Sequence, residues 1–285
     1  MIASLYLLHR EQHTGRYSER TEAVTLFLAV LAKCLLNGYD YITTTFLMMW
    51  VPYAYYGLRD RWPRPRTPRR VVVVGLAAGV AVLASVIILN FQVAAATGDL
   101  LGEFKQVVFA LGKRSYGDPS AYGPEFAAGL TASPLWVVEQ YLAATAIDMR
   151  APIRIGIPWV RRLLRVSYWE LIVWFALASA ALYILQQRSP SSPEWNRRAM
   201  ALVGATWFSL LAPLSWFVLF KAHSYVHRNM NEVAWHMPFV LLGFALCGLA
   251  LQGVFTGLVR KHPGAKTADG GHGASMAGTV PSASQ

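Results

Sequence analysis

The residues best equipped for chemistry fall at 221–238, KAHSYVHRNMNEVAWHMP, a polar stretch between two strongly apolar runs. Polar side chains beside a membrane are costly unless water, a partner or a ligand satisfies them. This segment offers an ammonium at Lys221, a guanidinium at Arg228, imidazoles at His223, His227 and His236, and a carboxylate at Glu232. That mixture suits an anionic ligand such as a phosphate or pyrophosphate. On a regular helix, a step of about 100° per residue puts His223 and His227 on one side with Met230 and Ala234. Glu232 and His236 then lie nearly opposite, with Tyr225 and Asn229. His223 and His227 have the i, i+4 spacing of a metal pair, but no carboxylate or thiol stands close enough in sequence to complete the set zinc needs. No metal and no other cofactor is therefore expected. A second reading stays open, in which His, Trp and Tyr here sit at the level of lipid headgroups.

Two further groups belong with these. Asp40 ends the four-residue turn NGYD between two apolar runs, where a carboxylate is held in place and could take a proton from an acceptor hydroxyl. The alternative is an Asx turn that caps only local backbone. Lys113, Arg114 and Tyr116 stand at the end of an amphipathic pattern, Leu100, Leu101, Phe104, Val107, Val108 and Leu111, with Asp99 as N-cap. They would either bind phosphate or make ordinary headgroup contacts. There is no Walker loop, dinucleotide glycine fingerprint, nucleophile elbow or CxxC pair, so nucleotide hydrolysis and redox chemistry have no support.

The elements that must position these residues are apolar helices. Hydrophobic residues make up 55% and charged residues 14% of the 285, far from a soluble domain's ~25% charged. The pattern predicts an all-α, polytopic membrane protein with about six spans, at 21–37, 41–57, 71–97, 169–187, 199–220 and 238–258. The segment 58–70, with six arginines and three prolines, reads as a non-helical cytoplasmic linker by the positive-inside rule. Both termini are then cytoplasmic, in a plasma membrane. A long outer loop, 98–167, contains the amphipathic helix lying on the membrane, a short apolar stretch at 134–146 that is re-entrant or interfacial, and arginines at 150, 154, 161, 162 and 165. Pro213 should kink its span, and residues 259–285 read as a disordered tail. The net charge of +11 comes from arginines between apolar spans, so topology explains it and nucleic acid is not an expected partner. Cys34 and Cys247 both fall in apolar runs and read as core residues.

Taken together, NGYDYITTTF at 37–46, GKRSYGDP at 112–119 and APLSWFVLFKAHSYVH at 212–227 resemble the bacterial polytopic GT-C class of membrane glycosyltransferases. The resemblance implies transfer of a sugar from a polyprenyl-phosphate donor at the outer face, with membrane lipid as the other partner. Lys221, His223, His227 and Arg228, helped by Lys113, Arg114 and Tyr116, would hold the phosphate, with Asp40 as catalytic base. The class carries its acid in a large first outer loop, whereas here the early outer loop is the short one with Asp40. An opening stretch that looks like the tail of a longer helix adds the expectation of a C-terminal portion of such an enzyme. Two other classes stay open: a lipid or solute transporter, and a non-catalytic membrane subunit.

Overall fold

The computed structural model describes residues 1–63, 66–148, 165–188 and 192–261, with side chains to 256. The arginines at 150, 154, 161 and 162, and most of the expected tail, lie outside these. The described residues are mostly helical. The chain starts with α1 (Ile2–Thr14), which ends at Gly15 in the left-handed region, where the missing Cβ removes the steric penalty. Next come α2 (Glu19–Asn37), capped by Ser18 Oγ, α3 (Ile42–Arg59) and α4 (Arg66–Thr97). The linker is shorter than expected: α4 already includes Arg66, Arg69 and Arg70, because Pro68 falls in its first turn, where no intrahelical N–H is needed.

Among the described residues, four helical stretches are long and apolar enough to cross a membrane: Arg66–Thr97, Tyr168–Arg188, Pro193–Leu219 and Phe239–Thr256. The chain is a helical membrane protein. α2 and α3 do not meet the same measure. α2 carries Glu19, Arg20, Glu22 and Lys33, and α3 is diluted by threonines and tyrosines. Both are nonetheless packed into the bundle. Leu26, Val30 and Cys34 of α2 and Met49 and Tyr53 of α3 form one core with Val74, Ala77, Ala78 and Ala81 of α4.

The second half begins with the amphipathic α5 (Leu100–Arg114), whose N-cap Asp99 accepts from the Gly102 N–H at 2.8 Å. A short 3-10 turn (Pro119–Ala121), α6 (Pro124–Thr131) and α7 (Pro134–Ala143) follow. The stretch at 134–146 does not span. At ten residues α7 is about 15 Å long, and it buries Val137 and Tyr141 in the second core. A β-pair that the apolar pattern did not announce closes the segment: β1 (Thr145–Asp148) lies antiparallel to β2 (Arg165–Ser167).

Then come α8 (Tyr168–Arg188), α9 (Pro193–Ser209) and α10 (Leu211–Leu219). The break at Leu210 is explained by Pro213, which lacks the N–H that would bond Ser209 C=O four residues earlier. The polar stretch is not one regular helix. It divides into α11 (Lys221–Val226), α12 (Arg228–Asn231) and a 3-10 turn (Glu232–His236), ahead of α13 (Phe239–Lys261). Trp216, Phe217, Trp235 and Phe239 fill the second core between them.

Candidate functional site

The tight turn after α2 builds the first wall. Gly38 and Tyr41 both have positive φ, 65° and 57°, and Lys33 Nζ reaches back to the carbonyls of Gly38 at 2.7 Å and Asp40 at 2.5 Å. The turn therefore has its own lysine cap. Tyr41 is held in the left-handed region by what its ring and hydroxyl do: the ring lies 5.0 Å from that of Trp216 and the hydroxyl donates to Met230 C=O at 3.0 Å. Asp40 Oδ1 lies 3.7 Å from Arg114 Nη1, with the two side chains 53% and 42% exposed.

Arg114 comes from the end of α5, and α11 supplies the third wall. The His223 and His227 rings are 4.6 Å apart, and His223 meets Trp216 edge-on at 5.7 Å. Burial pushes the His223 pKa down to about 4. His227 and Arg114 act in the same direction, and Asp40 opposes them. Its imidazole is neutral at pH 7, and its buried Nδ1 has no hydrogen-bond partner. Asp40, Arg114, His223 and His227, drawn from three separate stretches, thus share one mouth.

The remaining predicted residues frame it. Lys113 lies over the Phe126 ring at 4.1 Å, and the same ring meets His227 at 6.3 Å. Tyr116 donates to Val218 C=O at 2.7 Å and lies under Lys221 Nζ at 4.9 Å. Lys221 is buried, and its ammonium donates to the carbonyls of Leu130 and Ala132 at 2.6 and 2.8 Å, the open C-terminal end of α6. Burial pushes its pKa below the ordinary lysine value. Arg228 does the same for α7, donating to Gln140 C=O at 2.8 Å. His236 turns to the Tyr168 hydroxyl at 3.0 Å.

Several residues that shape the site have no motif to announce them. Asn231, fully buried, accepts from Trp216 Nε1 at 3.2 Å and donates to His223 C=O at 3.4 Å, fixing the break between α11 and α12. Tyr141 donates to Ser224 C=O at 2.7 Å and stacks on Phe217 at 3.9 Å. The hint for Asn231 was a polar residue inside a segment flanked by core tryptophans; for Tyr141 there was none. Among the described residues no group of three or more His, Cys, Asp or Glu could hold a metal ion.

The chain matches no family model, no curated protein and no solved structure.

Proposed function

We propose that the protein is a six-span membrane glycosyltransferase of the GT-C kind that moves a sugar from a polyprenyl-phosphate donor at its outer face. In this reading α2 and α3 count as spans despite their polar residues, because each buries one face in the core shared with α4. The observation that carries the reading is the convergence of Asp40, Arg114, His223 and His227 at the end of the molecule opposite the arginine-rich start of α4.

The Asp40 carboxylate takes the proton of the acceptor hydroxyl as that oxygen bonds to the sugar's anomeric carbon. The bond from that carbon to the phosphate oxygen breaks, and the electron pair leaves with the polyprenyl phosphate. Arg114 and Lys113 meet its charge with charge-assisted hydrogen bonds. His223, neutral at working pH, adds a polar contact without a second positive charge. Lys221 and Arg228 hold α6 and α7 in place, and so act on the phosphate site by building its wall.

The transporter alternative calls for polar groups lining a path through the spans. In α4, Ser85 bonds Val82 C=O and the Tyr39 hydroxyl, and the Asn90 amide N–H bonds Val86 C=O, so these two do not make a continuous polar path.

The test uses the full chain in proteoliposomes with a polyprenyl-phosphate sugar donor. Asp40→Asn should lower kcat about 100-fold or more with KM little changed, since it removes the base. Arg114→Ala should mainly raise the donor KM. Transfer by Asp40→Asn at the rate of the unaltered chain would overturn the reading.

A further inference from the structure

At the other end of the molecule, between α1 and the first turn of α2, lies a cavity of about 540 Å³ lined by Arg10, Glu11, Arg16, Tyr17, Thr21 and Glu22, among others. We propose that it binds a phosphate-bearing anion through Arg10 and Arg16. This site is independent of the outer one.

Both carboxylates at the cavity are engaged. Glu11 accepts from Arg66 and, at 2.6 Å, from Arg70. Glu22, 3% exposed, accepts from the Tyr17 and Tyr53 hydroxyls, each at 2.7 Å. Arg70 is 1% exposed and lies between the Tyr17 ring, 3.9 Å away, and the Trp62 ring at 4.5 Å. Its Nε and Nη1 are buried without a hydrogen-bond partner. Arg10 and Arg16 have no ion-pair partner among the described residues and stand exposed at the cavity. The turn at Gly15, φ 65°, brings the second of them back to the side of the first.

Four guanidinia, Arg10, Arg16, Arg66 and Arg70, therefore face two carboxylates, and the two uncommitted cations open onto a ligand-sized space. The dipole of α2 adds little, because Glu19 and Glu22 already occupy its first turn. Hydroxyls of Ser18 and Thr21 give the lining further polar contacts. Such a basic pocket at the ends of membrane helices suits a phosphodiester or phosphomonoester, carried by a lipid headgroup or by a small soluble molecule.

Full-length protein in nanodiscs distinguishes the sources. In discs of mixed phosphatidylglycerol and phosphatidylcholine, native mass spectrometry should show retained phosphatidylglycerol. Retention should fall about 100-fold in Arg10→Ala/Arg16→Ala, the scale of two lost charge-assisted bonds, and fall also in Thr21→Trp, which fills the cavity without removing charge. Arg20→Ala, an exposed arginine on the same turn, should leave it unchanged. Glycerol phosphate bound in phosphatidylcholine-only discs, with the same variant pattern, would assign the site to a soluble phosphate. Absence of both, or an equal effect of Arg20→Ala, would overturn the proposal.

Discussion

At the residue scale, His223 and Lys221 make the sharpest statements. The His223 pKa is pushed down to about 4, below the ordinary imidazole value near 6.5. Above pH 6.5 both folded and unfolded forms are neutral, and the stability this histidine permits is fully present. As pH falls from 6.5 towards 4 the unfolded chain gains a proton that the folded chain does not, so stability declines through that window. Thermal unfolding of His223→Gln should therefore show a shallower loss between pH 7 and pH 4 than the unaltered protein. For Lys221, the geometry predicts a stability effect rather than a purely ligand-binding one. Lys221→Met, which keeps the apolar stem, leaves the Leu130 and Ala132 carbonyls without their donor. It should cost about 2 to 3 kcal/mol in denaturant titration.

At the element scale, the short helices around the mouth depend on a close approach and a cap. A Cβ at Gly129 in α6 would stand 2.9 Å from Ala222 C=O and 3.2 Å from Tyr225 Cβ, so α6 and α11 touch only because that residue is glycine. Gly129→Ala should push them apart, costing about 1 to 3 kcal/mol and loosening the Lys221 cap. Hydrogen exchange at α6 reads this directly. At the other end of the same wall, Asp99→Ala removes the acceptor for Gly102 N–H and should cost α5 about 1 kcal/mol. Faster exchange confined to its first turn would register that change.

At the scale of the whole molecule, the charged ends define a direction. Glu11, Glu22, Arg66 and Arg70 gather at one end of the helices, and Asp40, Arg114 and His223 at the other. The fifteen steps along α2 from Glu22 to Asn37 rise about 22 Å, most of a hydrocarbon core. Single cysteines placed at Asn229 and at Arg69 should therefore be labelled by an impermeant thiol reagent from opposite sides of the membrane. Labelling of both from one side would remove the six-span arrangement and the outer-face chemistry with it.

How much of this was legible in the chain follows from the range of the forces involved. Apolar length and local pattern are short-range properties, so the apolar helices, the Asp99 cap on α5, the break before Pro213 and the turn at 37–40 could be read residue by residue. The polar character of 221–238 was equally plain. What it could not reveal is that two of its cations, Lys221 and Arg228, close the carbonyl ends of α6 and α7, some 90 positions earlier. Nor could it reveal that Glu11 lies against Arg66 and Arg70, or that Glu22 accepts from Tyr53. Those pairings exist because helix ends leave backbone groups in want of partners and buried charges require opposite ones, and the packing of distant helices alone decides which side chain arrives.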